Sequence, residues 1–263
     1  MHRKTFEVTA LSEVEHFYDS MAGVYHLIFD DWDRAIMRQS CVIEGLLDSN
    51  LGSVRIRIHD CACGIGTQSI ALAMLGHEVS GSDISQAAVL RAMTEAAQRG
   101  LHIEFSVSDM TNLARYASHQ LDALCAFDNA LSHLEVDQLL TAASSFKRVL
   151  RPGGVFFASI RDYDQLVQSR PKFQAPSFFG ASGERRIVHQ VWDWIDRDSY
   201  ELHQYISLER AEGWRVFHFS SKYRCLLQAE ASHALEKAGF VDIEWSMPEA
   251  TGYYQPVVTA RAL

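Results

Sequence analysis

The stretch Ile58-His59-Asp60-Cys61-Ala62-Cys63-Gly64-Ile65-Gly66-Thr67 decides the fold. Its apolar start closes a strand pattern, and Thr67 opens a helical one, so the chain turns sharply from strand to helix. Ala62, Gly64 and Gly66 keep bulk off that turn, which lets a bound molecule lie against the backbone. Asp60 stands two residues ahead of the first small residue. Its carboxylate can accept from the turn's own amides or from an amino group laid over them. Further on, Glu78-Val79-Ser80-Gly81-Ser82-Asp83 ends a second strand on a carboxylate that can accept both hydroxyls of a ribose. Asp109 and Met110, at the end of a third strand, pair a carboxylate with an apolar side chain in a way that can bracket an adenine. Asp83 and Asp109 also suit plain helix-capping or turn roles.

Outward from this segment, the first 160 residues alternate strand and helix patterns, the rhythm of a parallel sheet covered by helices. Strands are predicted near Val54–His59, Glu78–Gly81, Ile103–Val107, Ala123–Phe127 and Val155–Ile160. Helices are predicted over Thr67–Leu75, Ser85–Arg99 and Glu135–Leu150, the last stopped by Arg151-Pro152-Gly153-Gly154. Ser12–Leu47 is largely helical in pattern. After the fifth strand the rhythm changes. Pro171–Gly183 reads as a loop, and Arg186–Trp194, Tyr200–Leu208 and Trp214–Ser221 alternate apolar and polar residues like an antiparallel meander with one exposed face. A helix over Ala229–Ala238 and strands Val241–Trp245 and Pro256–Ala262 return to the main plan. The expected architecture is therefore an α/β, Rossmann-like sheet of seven strands. Residues 1–170 and 225–263 form its main domain, with a helical lid over 1–50, and 171–224 form an antiparallel β insertion.

Bulk properties limit the partners. A net charge of −9 leaves no broad basic face for a nucleic acid, which needs phosphate neutralisation. No apolar run approaches the ~20 residues of a membrane span, and the first nine residues hold no signal-like apolar core. Five cysteines, an odd number set in apolar patterns, read as reduced and point to the cytoplasm. Cys61 and Cys63 lack a second Cys/His pair, so no metal site is expected. Homo-oligomerisation stays open.

Two nucleotide-binding patterns compete for the 58–67 turn. The dinucleotide fingerprint wants small residues spaced G-x-G-x-x-G, which Ala62, Gly64 and Thr67 satisfy poorly. The alternating pattern of Asp60, Ala62, Gly64 and Gly66 instead resembles the class I S-adenosylmethionine-dependent methyltransferases, with Ala62 in place of the usual first glycine. More narrowly, the chain is similar to the glycine and glycine/sarcosine N-methyltransferases and their bacterial small-molecule relatives. That similarity rests on Tyr25–Trp32 with Asp33, on Asp60–Thr67, on Asp128-Asn129-Ala130-Leu131-Ser132-His133-Leu134 and on Arg161-Asp162-Tyr163-Asp164. Asp128 stands where those enzymes carry Gly, and Asp162 where they carry Asn.

The resemblance implies S-adenosylmethionine as cofactor, with S-adenosylhomocysteine as product, and a small-molecule acceptor. It places Tyr18, Arg38, Asp60, Ala62, Gly64, Gly66, Asp83, Ile84, Asp109, Met110 and Phe127 around the cofactor, with Arg34 the alternative to Arg38. Ligands of open α/β sheets lie at the carboxyl ends of the strands, where Asn129, His133 and Arg161 follow the fourth and fifth strands. These three are the candidate catalytic residues. Arg161 suits a carboxylate, which a guanidinium grips through two parallel hydrogen bonds; an internal ion pair with Asp162 or Asp164 is the competing role. His133 can relay a proton or simply cap and pack. Tyr25, Trp32 and Tyr254 complete the acceptor set, each equally suited to packing. Methyl transfer from a sulfonium chiefly needs alignment, which supplies up to about 7–11 kcal/mol. N-methylation of a small amino-acid-like amine is expected. A heterocyclic or natural-product acceptor methylated on N, O or C, and a non-catalytic cofactor-binding protein, are the alternatives.

Overall fold

A computed structural model describes residues 12–52 and 54–263, so the first eleven residues of the expected lid lie outside the described residues. Its main sheet is built from β1 (Arg57–Asp60), β2 (Glu78–Asp83), β3 (Glu104–Val107), β4 (Leu121–Ala126), β5 (Leu150–Ser159), β10 (Phe240–Ser246) and β11 (Val257–Ala262). The spatial order is β10-β11-β5-β4-β1-β2-β3. β1 to β5 pair in parallel, whereas β11 runs antiparallel to both β5 and β10. This is the expected seven-stranded, Rossmann-like plan. From β1 the chain proceeds to β2 and β3 on one side, then crosses back to β4 and β5 on the other. The order reverses between β1 and β4, and that reversal opens a crevice at the strands' carboxyl ends.

The helices are α1 (Glu13–Met21), α2 (Trp32–Leu51), α3 (Thr67–Met74), α4 (Gln86–Gln98), α5 (Val136–Val149), α6 (Tyr163–Ser169), α7 (Gln228–Ala238) and α8 (Pro248–Thr251). Capping explains where several begin. Ser12 accepts from the Glu15 amide, Asp31 from Arg34 and Ser85 from Ala88, each filling an amide that the first turn leaves free. α2 buries Ala35, Ile36, Gln39, Ser40, Ile43 and Leu47, a stripe at three- and four-residue spacing. Helix α1 docks across the crevice: Asp19 Oδ1 accepts from Ser85 Oγ at 2.6 Å and from the Ala87 amide at 3.0 Å. A carboxylate at the start of α4 also meets the helix dipole favourably.

The second sheet, in order β6-β7-β8-β9, comprises β6 (Phe173–Phe179), β7 (Arg186–Trp194), β8 (Ser199–Arg210) and β9 (Gly213–Arg224). All its pairs are antiparallel. Its inward residues Trp192, Tyr200, Leu202 and Tyr223 share one core with Leu131, Ile160 and Tyr163 of the main sheet's loops, so the two sheets are packed together.

Three local features differ from the sequence reading. Residues 173–179 form an edge strand rather than a loop. Six of its seven residues are exposed, so no alternation shows, and Pro176 falls within the register shift between Gln174 and Ser177, where a missing N–H costs no ladder bond. The segment Arg151–Gly154 is a bulge inside β5 rather than a turn after α5: Leu121 pairs with Leu150, but Ala123 pairs with Val155. Gly154 is required there, because a Cβ would stand 2.9 Å from the Arg151 carbonyl oxygen and 3.0 Å from that of Asp122. Helix α6, which the sequence reading left out, starts where Asp162 accepts from the Gln165 amide.

Candidate active site

Two cavities open along the crevice. The smaller, about 230 Å³, is walled by the 61–65 turn, Asp83-Ile84, Asp109-Met110, Phe127 and Tyr18 of α1. The larger, about 900 Å³, lies between the main sheet and the second sheet. Tyr18, Tyr25 and Asp128 line both.

The smaller cavity is shaped by its turn. Gly64 has φ +50°, and a Cβ built on it would meet nothing within 4 Å, so its bare backbone faces open space. Gly66 has φ +93°, the left-handed region open to glycine, and starts α3. The Gly64 amide donates to Asp83 Oδ2 at 2.8 Å, and the Ser85 amide donates to Asp83 Oδ1 at 2.9 Å. Each oxygen thus keeps acceptor capacity toward the cavity. Burial pushes the Asp83 carboxyl up, against the pull of those two amides. Asp60 faces inward instead. Its Oδ2 accepts from Ser69 Oγ at 2.7 Å, and burial raises it to about 7 while Ser69 and the Ala62 amide pull down. Asp109 both lines the cavity and closes its own turn, accepting from the Thr111 amide at 2.8 Å. An alternating bare turn, a ribose-ready carboxylate and the apolar Ile84, Met110 and Phe127 fit an adenosyl group.

Between the cavities, the chain leaving β4 adopts two consecutive left-handed residues, Asp128 at φ 58° and Asn129 at φ 69°. Asx side chains tolerate this region better than others, and such strain concentrates at functional sites. The Ser159 hydroxyl accepts from the Asp128 amide at 2.8 Å, and the Ser159 carbonyl accepts from the Asn129 amide at 3.0 Å, holding both to β5. Asn129 is then nearly saturated. Its Nδ2 donates to the Tyr163 hydroxyl at 2.9 Å, and its Oδ1 accepts from Ser132 Oγ and the Arg161 amide. The Asp128 carboxylate accepts from Tyr253 at 2.5 Å, Tyr254 at 2.7 Å and Gln68 Nε2 at 2.8 Å.

Arg161 projects into the larger cavity. Its guanidinium lies over Trp192 at 4.7 Å and near the Tyr223 ring at 5.8 Å, and donates to Gln190 Oε1 at 3.1 Å. Among the described residues it has no carboxylate partner; the adjacent Asp162 and Asp164 instead serve the amides of Gln165 and Gln228. A half-buried cation with aromatic walls and most donors unused favours an anionic ligand.

The remaining candidates separate. Arg38 lines the larger cavity and Arg34 lines neither, its amide being taken by the Asp31 cap. His133 lines the smaller cavity, its Nε2 2.9 Å from the Tyr18 hydroxyl and its ring 4.2 Å from that of Tyr223. Burial, with Arg161 nearby, lowers it to about 4, so it is neutral at pH 7. Trp32 is away from both cavities. Its indole N–H donates to Thr67 Oγ1 at 2.9 Å, and Arg99 stacks on its ring, so it ties the start of α2 to α3 as a packing residue. Tyr25 and Tyr254 line the larger cavity, and Tyr254 is 61% exposed. Gln68, Gln190, Trp192 and Tyr223 were not singled out from sequence. The last three come from the second sheet, where period-two alternation marks an inward face but not what it faces.

A family model described as "Methyltransferase domain" matches residues 58–154. A glycine/sarcosine N-methyltransferase of Aphanothece halophytica is 26% identical over 148 residues, 56% of each chain. A ubiquinone biosynthesis O-methyltransferase of Ruegeria pomeroyi is 28% identical over 173 residues, covering 63% of this chain and 61% of the relative. The chain therefore spans about three fifths of the length of the curated relatives it matches. Among solved structures, the S-adenosylmethionine-bound amino pentose methyltransferase CalS10 of Micromonospora echinaspora superposes with a TM-score of 0.71 at 16% identity, over 92% of this chain and 95% of that one. With the reversed strand order, the bare alternating turn and the carboxylate ending β2, these likenesses give the chain the fold of the class I S-adenosylmethionine-dependent methyltransferases and a methyltransferase domain over residues 58–154, and they support S-adenosylmethionine as its cofactor.

Proposed function

We propose that this chain methylates a nitrogen of a small, carboxylate-bearing, amino-acid-like molecule. The observation that carries this reading is the Arg161 guanidinium, which lines the larger cavity without a carboxylate partner among the described residues. In this reading the cofactor lies in the smaller cavity, where Asp83 holds the ribose hydroxyls and Asp109 and Met110 bracket the adenine. Bound there, S-adenosylmethionine supplies an electrophilic methyl group on a positively charged sulfur. The protein's share is alignment. Arg161 fixes the acceptor's carboxylate, and the second sheet covers the acceptor and excludes water. Asn129, its side chain spent on Tyr163, Ser132 and the Arg161 amide, sets the loop that carries Arg161 and acts through it. Neutral His133 holds the lid residue Tyr18 in place.

A second reading has support in the size of the larger cavity. At about 900 Å³ it matches the upper range of sites for drug-sized ligands, roughly 300–1,000 Å³. A heterocyclic or natural-product acceptor would fit it, and the relatives include both N- and O-methyltransferases. The experiment that decides is formation of S-adenosylhomocysteine by the purified chain across amino acids, amines, phenols and heterocyclic acids. Turnover of carboxylate-bearing amines alone supports the first reading. Turnover of phenols or uncharged heterocycles in preference replaces it with the second, and turnover of nothing leaves a binding protein.

A further inference from the structure

The larger cavity carries Arg38, Arg161 and several acids, and among the described residues one acid stands where the two cavities meet. Asp162 and Glu249 line the larger cavity, and Asp83 and Asp109 line the smaller. Among the described residues, Asp128 alone of the carboxylates lines both. A methyl group passing from one cavity to the other must cross this junction, so the accepting atom lies beside Asp128.

The local build supports a binding role. Two successive left-handed residues turn the chain so that the Asp128 side chain enters the junction, a conformation strained for residues other than glycine. A carboxylate offers about four acceptor sites. Tyr253, Tyr254 and Gln68 fill three, leaving one, and the Tyr254 contact is the replaceable one. Tyr253 is 2% exposed and fixed in the core, whereas Tyr254 is 61% exposed. Asp128 and Arg161 both line the larger cavity together with Tyr25. The loops that carry them are tied by the hydrogen bond from the Arg161 amide to Asn129 Oδ1, which sets an acid and a cation in one cavity, as the two ends of a zwitterion require.

We propose that Asp128 receives the ammonium end of a zwitterionic acceptor whose carboxylate is held by Arg161, and that it takes the nitrogen's proton before attack. This rests on the proposed function and adds to it the contact that selects an amine. One N–H proton of the ammonium passes to an Asp128 oxygen, and the freed lone pair forms the bond to the methyl carbon. The carbon–sulfur bond breaks with its electron pair left on sulfur. The products are a neutral thioether and a methylated ammonium, and the proton on Asp128 returns to solvent.

The test uses matched triplets with small, aliphatic and aromatic side chains: an amino acid, its 2-hydroxy acid and its decarboxylated amine. Binding is measured calorimetrically to the S-adenosylhomocysteine-loaded chain, and turnover with S-adenosylmethionine. In the wild type the best amino acid should bind about 10- to 150-fold tighter than its hydroxy acid, the worth of one hydrogen bond between charged groups. Asp128→Asn should erase that preference and lower kcat about 100-fold or more. Its affinity for S-adenosylhomocysteine should stay within about threefold, which also reports a correctly folded chain. Tyr254→Phe, which removes the replaceable contact, should retain the ammonium preference. Equal binding of hydroxy acid and amino acid by the wild type overturns the proposal, as does a preference that survives in Asp128→Asn. If amino acids are methylated and Asp128→Asn changes nothing, the Asp128 assignment alone falls. If no amino acid is methylated, the proposed function falls with it.

Discussion

Replacing Arg161 with methionine separates a ligand-binding cation from a structural one. The side chain keeps a flexible, unbranched apolar stem but is shorter and loses the charge and the donors. Among the described residues the guanidinium has one hydrogen bond, to Gln190 Oε1, and two aromatic neighbours, Trp192 and Tyr223. Truncating one partner of a buried charge pair costs about 2–5 kcal/mol, so kcat/KM for a carboxylate-bearing acceptor should fall roughly 30- to 5,000-fold. Folding stability should behave differently. The two cation–π contacts are worth about 0.5–2 kcal/mol each, but methionine regains sulfur–aromatic contacts of about 0.3–1.5 kcal/mol. Removing a half-buried, unpaired charge also relieves desolvation. Stability should therefore change by no more than about 1 kcal/mol, in either direction. Steady-state kinetics, calorimetric S-adenosylhomocysteine binding and urea unfolding measure the three quantities. A variant that loses acceptor, cofactor and stability together refutes the reasoning, because Arg161 would then be holding the loop rather than a ligand.

Asp83→Asn keeps the shape of the carboxylate but removes the charge and one acceptor, so cofactor affinity should fall about 10- to 150-fold in calorimetry. Acceptor affinity in the loaded protein should change little. Gly66→Ala forces an alanine into φ +93° with its Cβ 3.2 Å from Ala92 Cβ and 3.3 Å from Ile70 Cδ1. It should lose at least about 1–2 kcal/mol in urea unfolding, the cost of the left-handed region alone. Asp60 gives a pH signature. Its folded pKa of about 7 lies above the ordinary 3.8, so its contribution is fully present below pH 4 and is lost as pH rises to 7. His133 and His59, lowered to about 4 and 3, act in the opposite sense as pH falls below 6.5. The difference between wild type and Asp60→Asn isolates the carboxyl: it should drift by up to about 4 kcal/mol between pH 4 and 7 in favour of the variant. Parallel stability curves would place Asp60 outside the fully buried setting that raises it.

The main sheet was legible because its strands and helices differ in hydrophobic period, and because the 58–67 turn leaves few alternatives to an adenosyl ligand. Asp83, Ile84, Asp109, Met110 and Phe127 follow strand ends, a position that sequence order alone supplies, and the structure gathers them on one cavity. The errors came where tertiary context decides. Trp32 follows the family's lid pattern, yet its indole is spent on Thr67, a contact between residues 35 positions apart. Residues 173–179 are almost wholly exposed, so a strand there leaves no periodic trace. Asp128 was visible only as a departure from a family pattern. That it stands between two cavities depends on Gln68 and the Tyr253-Tyr254 pair arriving from two distant segments, which no local pattern encodes.

The most direct test of methyl transfer to an amine follows the methyl carbon itself. The chain is incubated with carbon-13-methyl-labelled S-adenosylmethionine and its preferred acceptor, and the product is examined by NMR. The label should appear as a methyl on the nitrogen of a carboxylate-bearing amine, with one S-adenosylhomocysteine released per methyl. A label on oxygen or ring carbon, or a label that never leaves the donor with any acceptor, would contradict it.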